Sequence, residues 1–206
     1  MAQGDLSGAL KSYRDSLTIV QRLAKSDPGN ASRQRDLSVS FNKVGNAQVA
    51  QADLAGALTS YRNSLTIADG LAKSDPGNAG WQRDLSVSFN KVGGVQVEQG
   101  DLAGALTSYR DSLMIAERLA KSDPGKAGWQ RDLSVSLSNV GNVQVAQRDL
   151  AGALEALRQG HEIMARLMLL SPNNAEWKRD LAWFERRLAE LAALTPGPTP
   201  PQNSLR

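Results

Sequence analysis

The stretch SDPGNAGWQRDLSVSFNKVG, residues 74–93, decides the fold because the chain repeats it almost letter for letter. SDPGNASRQRDLSVSFNKVG stands at residues 26–45 and SDPGKAGWQRDLSVSLSNVG at residues 122–141, which gives a period of 48 residues. A second motif, DLSGAL or DLAGAL, keeps the same period and begins at Asp5, Asp53, Asp101 and Asp149. Self-similarity at a fixed period predicts an array of structural units rather than one globular domain.

Each period contains two helical patterns. Within residues 79–126, apolar residues recur at steps of three and four, as on one face of an amphipathic helix. The second pattern stops before Pro124, which cannot continue a helix. One unit is therefore predicted to be a pair of antiparallel helices. The first stripe is Trp81, Leu85, Phe89 and Val92, and the second is Leu102, Ala105, Leu106, Tyr109, Leu113, Ala116 and Ala120.

The spacing of the large, small and proline residues resembles the tetratricopeptide repeat family. One unit carries the pattern as Phe41, Val44, Gly45, Ala57, Tyr61 and Pro76, and the next as Phe89, Val92, Gly93, Ala105, Tyr109 and Pro124. The aromatic residue that the family places after the glycine is replaced by Gln48, Gln96 and Gln144. The period exceeds the family's period of about 34 residues, and two insertions of about two helical turns each explain this as long-helix units. The resemblance implies an all-α, right-handed superhelical α-solenoid of antiparallel helix pairs, with about eight helices.

The repeat pattern divides the chain as follows. We predict a repeat array over residues 1–194 and a disordered, proline-rich tail over 195–206. The array consists of a helix at 5–25, helix pairs at 31–78, 79–126 and 127–174, and a capping helix at 175–194.

Three glycines fall inside the predicted first helices, at Gly45, Gly93 and Gly141. Glycine costs about 0.5–1 kcal/mol relative to alanine in a helix. We therefore predict a close helix crossing at each glycine, opposite Ala57, Ala105 and Ala153.

The resemblance implies that the first helices line a concave groove that binds an extended peptide or partner segment. On the face opposite the core stripe, a column of arginines, a column of valines and two columns of asparagines recur with the period, and the asparagine columns are broken once each, by Ser138 and by Gly94. Asparagine amides donate to and accept from a peptide backbone, valines shield those bonds, and arginines grip carboxylates. Two alternatives stay open: the asparagines cap or bridge neighbouring helices, and the arginines pair with repeated aspartates. The candidate groove residues are Arg35, Arg83 and Arg131, Val39, Val87 and Val135, and Asn42, Asn46, Asn90 and Asn142.

A self-assembly module is the alternative function. The pattern begins with a second-type helix, so a face that a preceding helix would cover is predicted to be open and to stack on another copy. The residues of this predicted face are Leu6, Leu10, Tyr13 and Leu17.

Composition favours a binding protein without chemistry of its own. Lys and Arg number 24 against 21 Asp and Glu, and the charges are interleaved, which argues against nucleic acid as a partner. The chain has no cysteine and one histidine, His161, so the usual parts of metal sites and catalytic triads are missing. We therefore expect no enzyme activity, no metal and no cofactor. Without a secretory signal or a long apolar segment, we expect a cytoplasmic protein with no membrane partner.

Overall fold

The computed structural model describes residues 3–194, and their side chains from Leu6 onward. The described residues form eight helices joined by short connections, and successive helices pack as hairpins. The predicted all-α solenoid of helix pairs is confirmed in this respect. The predicted tail at 195–206 lies outside the described residues. The helices are α1 Gln3–Ser26, α2 Ala31–Ala50, α3 Leu54–Ser74, α4 Ala79–Glu98, α5 Leu102–Ser122, α6 Ala127–Ala146, α7 Leu150–Leu170 and α8 Ala175–Leu194.

The described residues divide into two compact units, and the boundary lies within α6, between Trp129 and Gln130. In the first unit each of the helices α1 to α4 packs against the next helix along the chain, so that the series ends with α4 on α5. In the second unit α7 packs against α8. Within residues 3–194, none of the helices combines the length and apolar character needed to cross a bilayer.

The repeated DLAGAL motif starts the second helix of each pair. The carboxylate of Asp53 caps α3 by accepting from the backbone N–H of Gly56 at 2.9 Å. Its other oxygen accepts from Nε2 of Gln48 at 3.0 Å. A Cβ on Gly56 would collide with both side chains, so glycine keeps space for this bridge. Asp101 with Gly104, and Asp149 with Gly152, repeat the arrangement.

Three glutamines that recur with the repeat, Gln48, Gln96 and Gln144, are buried between helices. Oε1 of Gln48 accepts from the Ser60 hydroxyl at 2.6 Å, and Oε1 of Gln96 accepts from Ser108 at 2.7 Å. In the third repeat Ala156 stands in place of the serine. Oε1 of Gln144 is consequently buried without a hydrogen-bond partner among the described residues.

Replacing Ala156 with serine is expected to stabilise the second unit by about 1 kcal/mol, because the hydroxyl would satisfy a buried acceptor. Denaturant unfolding followed by circular dichroism measures the change. Ala182→Ser, at an exposed position of α8, is the matched control and carries only the small helix-propensity cost. A midpoint for Ala156→Ser no higher than that of the control would contradict the assignment.

The three glycines predicted at helix crossings, Gly45, Gly93 and Gly141, each lie against a side chain of the next helix. A Cβ added to Gly45 would lie 2.5 Å from Cε1 of Tyr61. At Gly141 it would lie 2.9 Å from Cγ of Leu157 and 3.4 Å from the backbone oxygen of Ala153. The predicted approach to the small residue therefore contributes at Gly141, whereas at Gly45 the aromatic ring occupies the gap.

The predicted open face of α1 requires a correction. Leu10 is only 7% exposed and forms a core cluster with Val44 and Ala47, and Leu17 packs against that cluster. These two leucines therefore face α2, because a seven-residue step returns to the same side of a helix. Leu6 is half-buried. Of the predicted residues, Tyr13 is exposed, at 40%, and the other large exposed apolar side chains of α1 are Ile19 and Leu23.

Candidate binding cleft on the first helices

The valines of the predicted groove lie at the surface. Val39 on α2 is 42% exposed and Val87 on α4 is 38% exposed, both in the first unit. Val135 on α6, in the second unit, is also 38% exposed. Each unit thus presents apolar surface at the predicted positions.

The arginines are engaged by the array itself. Arg35 forms a bidentate salt bridge with Asp84, in which Nε donates to Oδ2 at 2.5 Å and Nη2 donates to Oδ1 at 3.2 Å. This contact raises the pKa of Arg35. In the second unit Arg131 pairs with Asp180 at 2.8 Å and with Glu176 at 2.9 Å. For these two arginines the structure agrees with the alternative of pairing with an aspartate of the next repeat. Arg83 is exposed on α4.

The asparagines divide into different environments. Asn46 is exposed, and its Oδ1 accepts from the Tyr61 hydroxyl at 2.7 Å and from Nζ of Lys91 at 3.0 Å. Asn142, in the second unit, accepts from Nε of Arg187 at 3.3 Å. Asn42 and Asn90 are half-buried. Oδ1 of Asn42 is buried with no hydrogen-bond partner among the described residues.

A cleft of about 310 Å³ lies between α2 and α4 in the first unit, with the ring of Tyr61 from α3 among its walls. It brings together Asn46 and Asn90, while the Arg35 column does not line it. Gly94 opens the cleft, because the equivalent positions in the neighbouring repeats are Asn46 and Asn142. The lining residues are Asn46, Val49, Tyr61, Asn90, Lys91, Gly94, Val95 and Glu98.

The chemistry of the cleft suits a polar chain flanked by apolar surface. Val49 and Val95 supply the apolar wall, and Lys91 and Glu98 contribute one charge of each sign. Burial raises the pKa of Tyr61, so its hydroxyl stays neutral and keeps donating to Asn46 well above neutral pH. Nζ of Lys91 lies 5.8 Å from the centroid of the Tyr61 ring, which orients the amine over the cleft wall.

Sequence reasoning identified Asn46 and Asn90 but missed Tyr61, Lys91 and Glu98 as parts of one site. Tyr61 belongs to the core pattern, and nothing in the sequence indicates that its hydroxyl points toward α2. Lys91 and Glu98 do not belong to the columns of arginine, valine and asparagine from which the groove was predicted. The break at Gly94 was the visible signal, since one column of asparagines is interrupted there.

The fold places the protein in the class of all-α solenoids built from helical hairpins. No family model and no curated protein matches the chain. Among solved structures, it is similar to one described as the crystal structure of BtubC (BKLC) from P. vanneervenii. The identity is 13%, the TM-score is 0.40, and the match covers 98% of each chain.

Proposed function

We propose that this chain is a tetratricopeptide-like, non-catalytic scaffold that binds an extended segment of a partner protein through the first helices. The observation that carries the proposal is the cleft between α2 and α4, where asparagine side chains, two valines and a glycine come together. A cytoplasmic partner is the simplest expectation for a chain without cysteine.

The cleft supports an extended backbone as the ligand. Oδ1 of Asn46 is held by Tyr61 and Lys91, which leaves its Nδ2 to donate to a peptide C=O group, and Asn90 lies in the same cleft. Val39 on α2 and Val87 on α4 are exposed and would contact the peptide's apolar side chains. The missing side chain at Gly94 allows the peptide backbone to approach α4 closely.

The test uses Gly94→Asn, which restores the residue found at this position in the neighbouring repeats. A Cβ at Gly94 would lie 3.7 Å from the Tyr109 hydroxyl oxygen, an ordinary contact, so the fold should persist. Peptides are first selected from a displayed library on the native protein, and their affinities are measured by fluorescence anisotropy. We expect Gly94→Asn to weaken binding by about tenfold or more, a loss of about 1.4 kcal/mol.

Asn63→Ala, an exposed asparagine on α3 away from the cleft, is the matched control and should leave affinity unchanged. Peptides that bind Gly94→Asn as tightly as the native protein would contradict the proposal. Circular dichroism of each variant separates lost binding from lost folding.

Self-assembly through α1 is the second candidate, on the corrected face. Tyr13, Ile19 and Leu23 are 40%, 58% and 48% exposed, and Ile19 and Leu23, four residues apart, lie on the same side of the helix. Tyr61 and Tyr109 are equivalent to Tyr13 in the following repeats, and they pack against glycines of a neighbouring helix. A sedimentation mass that rises with concentration and returns to that of a monomer in Leu23→Lys would favour this function.

A further inference from the structure

A second cavity, of about 410 Å³, lies between the α1–α2 connection, the start of α2 and the end of α3. Gly70 lines it, and we call it the Gly70 cavity. Its walls include Pro28, Gln34, Ile67 and Leu71, so it lies on residues other than those of the cleft between α2 and α4.

The chain contains a filled copy of the same cavity one repeat later. Seven of its nine lining residues recur unchanged after 48 positions, among them Gln34 as Gln82 and Leu71 as Leu119. The main difference is that Arg118 replaces Gly70. The equivalent positions in the other repeats also carry arginine, at Arg22 and Arg166.

In the filled copy the arginine makes a specific contact. Nη2 of Arg118 donates to Oε1 of Gln82 at 2.6 Å. The Gln82 amide is held in place because its Nε2 donates to the backbone oxygens of Ala72 at 3.1 Å and Pro76 at 3.4 Å. Gln82 is only 6% exposed.

The Gly70 cavity has the acceptor, Gln34, but Gly70 stands where the next repeat has the donor, Arg118. Nε2 of Gln34 donates to the backbone oxygens of Ala24 at 3.2 Å and Pro28 at 3.3 Å, the same pair of anchors. Its Oε1 is therefore fixed in the orientation that Gln82 uses, and within residues 3–194 no group donates to it. Gln34 is also less buried than Gln82, as expected where the covering arginine is missing.

We propose that the Gly70 cavity receives an arginine side chain of a partner polypeptide, whose guanidinium donates to Oε1 of Gln34 as Arg118 does to Gln82. Arginine is favoured over lysine because its planar group directs several donors while the stem packs on apolar walls such as Ile67 and Leu71. The site goes beyond the proposed function, since it would select one side chain of a partner at a different surface.

The first test measures whether the cavity accepts a guanidinium at all. Gly70→Ala improves helix propensity, and a Cβ there meets no described atom within 4 Å beyond its chain neighbours and the adjacent helix backbone, whereas Gly70→Arg also supplies the group found in the next repeat. We expect Gly70→Arg to melt about 2–4 °C above Gly70→Ala, the shift of one added contact in a chain of this size. Equal melting temperatures of the two variants would overturn the proposal.

The second test probes the partner's side chain directly. N-acetyl-arginine amide is titrated into the full chain while the side-chain amide resonances of Gln34 are followed by NMR. We expect saturable shifts at millimolar concentrations in the native protein and in Gly70→Ala, and none in Gly70→Arg, where the site is filled. Shifts that persist in Gly70→Arg, no saturable shift in the native protein, or equal shifts with N-acetyl-lysine amide would each overturn the proposal.

Discussion

Replacing Phe184 with alanine is expected to destabilise the second unit by about 3–5 kcal/mol, the usual cost of emptying a buried aromatic position. Phe184 is 3% exposed, and its ring occupies the space above Gly160 on the neighbouring helix. A Cβ on Gly160 would lie 2.5 Å from two atoms of that ring. Phe184 also contacts Trp183 edge to face at 5.0 Å between ring centroids. Denaturant unfolding followed by tryptophan fluorescence measures the loss.

The repeat itself supplies the control for this prediction. In the first unit the equivalent positions are Ser64 and Ser88, whose hydroxyl oxygens lie 3.5 Å apart. Gly160→Ser alone should destabilise by about 1–3 kcal/mol, because the hydroxymethyl group meets the phenyl ring. Gly160→Ser combined with Phe184→Ser should cost less than the sum of the two single changes, since the serine pair fits this site. Strict additivity would show that glycine and phenylalanine are not a matched pair.

Gly93→Ala is expected to destabilise the first unit by about 1–3 kcal/mol even though alanine is the better helix former. The added Cβ would lie 2.7 Å from Cε1 of Tyr109, which is buried and cannot move aside freely. Thermal and denaturant unfolding of the variant measure the effect.

Gly70→Ala, which also changes a glycine inside a helix of the first unit, is the matched comparison. Apart from its chain neighbours and the adjacent helix backbone, no described atom lies within 4 Å of its added Cβ, so we expect it to stabilise by about 0.5–1 kcal/mol. The two substitutions should therefore change stability in opposite directions. The same sign for both would show that helix propensity, and not ring contact, decides the role of Gly93.

The fold was largely predictable because the apolar pattern that forms each helix pair is repeated in the sequence. The 48-residue period and the apolar steps indicate helix pairs without any tertiary information. The buried glutamines were not explained in advance, because Gln48 acts only when Asp53 and Ser60 from the next helix converge on it. Such a role depends on three-dimensional placement and not on local pattern.

The candidate sites were predictable only in part. The repeat pattern indicates that one face of α1 lacks a preceding helix, but it does not indicate that Leu10 and Leu17 belong to the other face, which packs against α2. The two cavities, in contrast, follow from departures from repetition. Gly94 interrupts a column of asparagines, and Gly70 interrupts a column of arginines. Aligning the repeats would have indicated both, but the depth of each cavity required the packed structure.

The proposal that a partner binds between α2 and α4 is tested most directly by NMR with a peptide selected on the native protein. Backbone and side-chain amide shifts are mapped on the full chain as the peptide is added. We predict that the largest shifts fall on Asn46, Asn90 and Gly94, and that Gly94→Asn needs about tenfold more peptide to reach half of the full shift. Shifts centred on Tyr13 and Leu23 of α1, or shifts that Gly94→Asn leaves unchanged, would contradict the proposal.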